Sequence, residues 1–316
     1  MKEIGGYLEI ENLHGLNEWY KDKIRFNTAR SAFLYLAREK KIRKVYLPFF
    51  LCNSVYDACK KENIEVEFYN INSKFEPDFN KIMNSNDYLY IVNYYGQITN
   101  EQIIQYKEKY YNVVIDNVQA FFQQPVTDVD TIYSCRKFFG VPDGAYLSTN
   151  LGYKELDCDV SYDKIRHLIG RFEVSASDFY IDFKNSEKSF VDSEVMGMSK
   201  FTRNILGVID YTFVKEKRIE NWLYLHSVLK DFNGLYLKNS EGPYMYPFYS
   251  EMASEVRIKL VEKKIYIPTL WPNVLDLVGC DLEKDYALNI LPLPCDQRYE
   301  TEDMKYLMEE VLKCLD

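Results

Sequence analysis

The sequence predicts an α/β fold: a mostly parallel central sheet flanked by helices, followed by a smaller α+β unit. Three observations predict it. From about residue 30 to 150, short apolar runs alternate with longer amphipathic stretches, the rhythm of strands joined by crossover helices. After Asn150 the texture changes to segments rich in Lys, Glu and Asp at helical spacing. The 316 residues also exceed what one hydrophobic core usually serves, so a large unit at 1–210 and a small one at 211–316 are expected.

Each element has its own signal. The stretch 31–41 sets Ala32, Leu34, Tyr35 and Leu36 along a helical turn and a half, with Asn27 or Thr28 available as its cap. VYLP (45–48) reads as a buried strand stopped by Pro48, and a helix is expected over about 52–62. EVEFYNI (65–71), LYIVNYY (89–95), NVVIDN (112–117), TIYSC (131–135) and AYLST (145–149) continue the strands. Residues 160–240 read as long helices leading out of the large unit. GPYMYPFY (242–249), a strand KIYIP (264–268) and a closing helix over about 301–315 then make the small one. With no internal repeat and no Gly/Ser linker, the two units are expected to pack against each other.

Composition excludes several classes. Hydrophobic residues at 47% and charged residues at 28%, without low-complexity tracts, describe a globular chain. A net charge of −9 argues against a nucleic-acid partner, because neutralising phosphates needs a concentrated basic face. Seven cysteines without a C-x-x-C pair indicate neither a zinc site nor a disulfide framework and fit a reducing compartment, so no metal is expected. MKEIGGYLEIENLHG at the start has no apolar h-region, and no apolar run reaches the roughly 18 residues that span a bilayer. A soluble, cytoplasmic protein without a membrane partner is the expectation.

In an open parallel sheet, ligands collect beyond the carboxyl ends of the strands. That rule singles out Asp116 after NVVID, Tyr95 after LYIVN, Ser134 and Lys137 after TIYSC, and Phe49 and Phe50 after VYLP. An Asp at a strand end also serves as an ordinary helix cap. A buried carboxylate there would equally hold a pyridine nitrogen protonated, with Gln119 three residues on beside the ring. Lys137 stands in a Gly- and Pro-rich turn, preceded by Arg136 and, three positions back, by Ser134. A hydroxyl and a guanidinium can thus hold a phosphate while the amine condenses with an aldehyde. FNTARSAFLYLA (26–37) leads into a helix whose first N–H groups, with Arg30 and Ser31, can receive that phosphate. No G-x-G-x-x-G or P-loop pattern occurs.

The order and spacing of these pieces resemble the DegT/DnrJ-type sugar aminotransferases, which have the fold-type-I architecture of pyridoxal-5′-phosphate (PLP) enzymes in the aspartate-aminotransferase superfamily. TARSAFLYLA is similar to that family's helix start, NYYGQ (93–97) to its Tyr-Gly-Gln turn, VIDNVQAFF (114–122) to its pyridinium-binding segment, and YSCRKFFGVPDGA (133–145) to its Schiff-base lysine turn. The resemblance implies PLP as cofactor, with Lys137 as the Schiff-base lysine and Asp116 on the ring nitrogen. It places Gln119 beside the 3-hydroxyl, and Arg30, Ser31, Ser134 and Arg136 around the phosphate. RIENWLYL (218–225) and IYIPTLWP (265–272) also resemble family segments, which makes Tyr95 and Trp271 substrate-side candidates.

The chain departs from the family in four places. Only Cys135 and Arg136 separate Ser134 from Lys137; Ile115 stands where an acid precedes the pyridinium Asp; an ungapped match puts Cys52 at the ring-stacking position, leaving Phe50 as the candidate ring. VMGMSKF (195–201) lacks the Asn and Arg that reach across the family's dimer interface. The resemblance implies a PLP-dependent aminotransferase that moves an amino group from an amino-acid donor to a keto-sugar, expected to be nucleotide-linked, in glycan or specialised-metabolite biosynthesis. A homodimer is expected with it. The rivals are a PLP-dependent lyase or dehydratase and a scaffold that has lost catalysis.

Overall fold

The computed structural model describes residues 8–13, 15, 17–152, 154–191 and 193–315. The start of the stretch read for a leader peptide lies outside them. In chain order the elements are β1 (Ile24–Phe26), α1 (Ala29–Lys40), β2 (Lys44–Pro48), α2 (Asn53–Lys61), β3 (Glu65–Ile71), β4 (Pro77–Asp78), β5 (Asp87–Val92), α3 (Asn100–Tyr110), β6 (Val113–Asp116), β7 (Asp130–Ser134) and β8 (Ala145–Ser148). After them come α4 (Arg166–Glu173), α5 (Tyr180–Ser189), α6 (Lys200–Leu206), α7 (Tyr211–Leu229), β9 (Met245–Tyr249), α8 (Ala253–Glu262), α9 (Asp281–Asn289), β10 (Ile290–Pro294) and α10 (Thr301–Lys313).

Among the described residues eight strands form one sheet in the order β1-β8-β7-β6-β5-β2-β3-β4. The centre, β3 to β7 through β2, β5 and β6, is parallel, while β1, β4 and β8 pair antiparallel at the margins. Both faces of the centre are covered, which is why VVID of β6 is buried at every position and reads as a continuous apolar run. From β2 the chain first goes outward to β3, then returns to the other side for β5, β6 and β7. The strand order therefore reverses between β2 and β5, and the crevice at that switch point lies at the carboxyl ends of these strands.

α1 starts where Thr28 accepts a hydrogen bond from the Ser31 amide at 3.0 Å, so Thr28, not Asn27, is its cap. The strand expected over 89–95 stops at Val92, because Asn93 leaves the ladder and Tyr95 turns into the left-handed region at φ 53°. The alternating KIYIP segment is not a strand. The second sheet is the antiparallel pair β9 and β10, and no neighbour is aligned to pair with 264–268. Of the long helices expected over 160–240, only α7 is long, at 19 residues; α4, α5 and α6 have 8, 10 and 7.

Candidate active site

The site is built at the tips of β2, β5, β6 and β7. Asp116, the last residue of β6, is 4% exposed. Its Oδ2 accepts a hydrogen bond from the Tyr90 hydroxyl at 2.8 Å and its Oδ1 one from the Val118 amide at 3.0 Å. Burial raises its carboxyl above the ordinary range. The Lys137 ammonium, the Val118 N–H and the Tyr90 hydroxyl pull it back down. Lys137 is half-buried as a side chain, yet its amine is packed round by protein atoms, and burial lowers its pKa. Asp116, then Cys52 and Glu187, oppose that shift, and Arg136 adds to it. Each of the two groups thus acts on the other's charge, which brings the tips of β6 and β7 to one buried place.

The turn carrying Lys137 is anchored by the two aromatic residues after it. Phe138 and Phe139 are 2% and 5% exposed, their rings packed on Phe121 at 5.5 and 5.0 Å. Their amides both donate to the Cys135 carbonyl, at 3.0 and 2.9 Å, and the Cys135 amide donates to the Gly144 carbonyl at 2.9 Å. Gly144 sits at φ 118°, where a Cβ would stand 3.0 Å from Thr202 Cγ2 and 3.1 Å from Cys135 Cβ, so only glycine fits the closure. On the other side the Lys137 amine lies 5.4 Å from the centre of the Tyr244 ring.

Gln119 is fully buried three residues after Asp116. Its Oε1 accepts the Tyr95 amide at 2.8 Å, while its Nε2 has no hydrogen-bond partner among the described residues. A buried amide donor left unpaired costs about 1–3 kcal/mol, so it marks a place where an acceptor from outside the chain fits. Tyr95, expected to face a substrate, is itself 1% exposed with its ring 5.7 Å from Phe75, and it acts on Gln119 through its backbone.

The remaining candidates divide. Ser134 ends β7, buried, and Ser31 lies in the first turn of α1. Arg136 is ion-paired to Glu187 of α5, with its guanidinium 4.7 Å over the Phe190 ring. Arg30 Nη1 donates to the carbonyls of Phe190 at 2.6 Å and Val191 at 3.0 Å, and its Nε is buried without a partner among the described residues. Both guanidiniums therefore converge on one short segment at the end of α5. The ring of Phe50, the candidate stacking partner, is enclosed by Trp271 at 4.5 Å, Tyr94 at 5.3 Å and Tyr286 at 6.2 Å. Trp271 spends its ring on that same contact and on Tyr94 at 5.4 Å. Cys52, at the cap of α2, is an electrostatic neighbour of both Lys137 and Tyr90.

Tyr90, Tyr244 and Glu187 escaped the sequence reading. Tyr90 carried a signal, a hydroxyl inside the apolar run DYLYIV with no water to bond. Glu187 lies 50 residues beyond Lys137 and carried none. Among the described residues no cluster of three or more His, Cys, Asp or Glu side chains suits a metal ion, and no helix is long and apolar enough to cross a membrane.

No protein-family model matches this sequence, and no curated protein sequence does. Solved structures do match. NtdA from Bacillus subtilis with bound cofactor PMP is 15% identical, with a TM-score of 0.65 over 92% of this chain and 72% of that one. PseC from Helicobacter pylori, an aminotransferase involved in the biosynthesis of pseudoaminic acid, is 16% identical, with a TM-score of 0.63 over 92% of this chain and 85% of that one. A DegT DnrJ EryC1 StrS aminotransferase from Brucella abortus is 13% identical, with a TM-score of 0.62 over 92% and 85%. The chain thus has the fold-type-I α/β architecture of PLP-dependent aminotransferases.

Proposed function

We propose that this protein is a PLP-dependent aminotransferase that takes an amino group from an amino-acid donor and delivers it to a keto-sugar. The observation that carries the reading is a buried carboxylate, a buried amide donor without a partner and a buried amine gathered at neighbouring strand tips, in the fold of an enzyme solved with PMP. The residues present fit the cofactor. Asp116 would hold the ring nitrogen protonated, Gln119 Nε2 would donate to the ring's 3-oxygen, and Ser31, Ser134, Arg30 and Arg136 would take the phosphate. Once bound, the cofactor supplies an electron sink for the carbon that loses a proton.

The protein's own groups do the rest. Lys137, its pKa lowered by burial, offers a larger unprotonated fraction at neutral pH than a surface lysine; it can therefore attack an aldehyde and afterwards move a proton as general base. Asp116 must be ionised to pair with a protonated ring, and its pKa is raised, so PLP affinity should fall as the pH drops through that raised value. Tyr90 lowers that value. Tyr90→Phe should accordingly move the acid limb of PLP binding to higher pH, measured by titrating bound cofactor spectroscopically; a limb that stays in place would contradict the role given to Asp116.

Glu187 holds Arg136 by an ion pair, so a phosphate must compete with it. Glu187→Gln should tighten PLP binding by about two- to fivefold, the scale of an exposed ion pair; weaker binding in the variant would place the phosphate elsewhere. The keto-sugar acceptor is supported by the work of a structural neighbour in pseudoaminic acid biosynthesis, with a nucleotide-linked sugar as the form we favour. A cytoplasmic homodimer is part of the same proposal, the dimer supported by exposed apolar side chains on α4 and α5, Phe172 at 93% and Ile181 at 73%. The test is a half-reaction. PLP-loaded protein mixed with single amino acids should convert its cofactor to PMP and release the matching keto acid; no conversion with any donor would overturn the aminotransferase reading.

A further inference from the structure

Arg218 stands on α7, outside the strand-tip cluster, and is 2% exposed. A buried guanidinium keeps its charge and needs acceptors for its N–H groups. Its Nε donates to Gln297 Oε1 at 2.9 Å, its Nη1 to the carbonyls of Pro243 at 3.0 Å and Tyr244 at 3.2 Å, and its Nη2 to the carbonyl of Phe138 at 3.1 Å. Gln297 Nε2 donates to the same Phe138 carbonyl at 2.8 Å, and the guanidinium lies 4.5 Å over the Phe138 ring. Asp296 lends negative charge from nearby while its own carboxylate is paired with Arg298 at 2.6 Å. Every hydrogen bond from Arg218 therefore ends on a neutral oxygen, and those oxygens belong to three separate stretches of chain.

Two of those stretches frame Lys137. Phe138 is the next residue, and the Tyr244 ring is the surface under the Lys137 amine, 5.4 Å away. Fixing both backbones to one rigid planar fork sets the distance between them, in a way that a compact, freely rotating ammonium on a flexible stem does not. We propose that Arg218 is a positioning residue for Lys137: by joining the Phe138 and Tyr244 carbonyls it holds the Lys137 amine against the Tyr244 ring and beside Asp116. Its use in amino transfer rests on the reading of Lys137 given above. Its effect on the amine does not.

The experiment uses the full chain without cofactor. Lysines are reductively methylated with ¹³C-formaldehyde, the Lys137 signal is identified by its loss in Lys137→Met, and its titration is followed by NMR. What sets it is burial first, then its electrostatic neighbours Asp116, Cys52, Glu187 and Arg136. Arg218→Lys and the milder Gln297→Ala should both move the Lys137 signal back toward the ordinary lysine range and, in separate unmethylated samples mixed with PLP, slow its capture, by about tenfold for Arg218→Lys, one hydrogen bond to a charged group. Gln297→Ala should do so with an unchanged circular dichroism spectrum, and it decides the matter if Arg218→Lys does not fold. A Lys137 titration identical in the wild type and the folded variants would overturn the proposal. Should the wild type fail to bind PLP at all, the functional reading falls while the titration still tests Arg218.

Discussion

Replacing Lys137 by Met should abolish covalent retention of PLP and slow amino transfer by about four orders of magnitude, the combined scale of a lost nucleophile and a lost general base. The substitution keeps much of the length of the side chain, and the turn is secured by Phe138 and Phe139 rather than by the amine, so the variant should fold. Rapid-mixing measurement of the half-reaction checks this. Activity within tenfold of the wild type would show that another amine does the work.

Asp116→Asn should weaken PLP binding by about 10- to 100-fold, the worth of one or more hydrogen bonds to a charged partner. Transfer should slow further, by about 10²- to 10³-fold, because a neutral amide does not keep the ring nitrogen protonated where charge develops. A second effect separates this site from a mere helix cap. The Asp116 carboxylate is the largest influence raising the Lys137 pKa, so removing its charge lets that pKa fall further. The pH above which Lys137 captures an aldehyde should therefore move down in Asp116→Asn. A helix cap alone would leave that pH where it is.

The strands were legible because each apolar run meets a stop: VYLP, NVVIDN and TIYSC end within a residue of the observed strand ends at Pro48, Asp116 and Ser134. Asp116, Gln119 and Lys137 were singled out for the same reason, as chemistry standing on strand tips. KIYIP failed because alternation is a property of one segment, whereas a strand needs a partner, and the small sheet has none to offer there. The surroundings of Phe50 were not legible, because a turn's sequence does not say which of its side chains looks inward; its ring packs against Trp271 and Tyr94. Glu187 and Arg218 reach the Lys137 turn from α5 and α7, 50 and 81 residues downstream, and only the packing of those helices brings them in.

Saturating the protein with PLP, reducing it with borohydride and mapping the labelled peptide shows directly which amine holds the cofactor. One pyridoxyl group per chain, on Lys137, is the expected result. Label spread over surface lysines, or concentrated on any other residue, would contradict it.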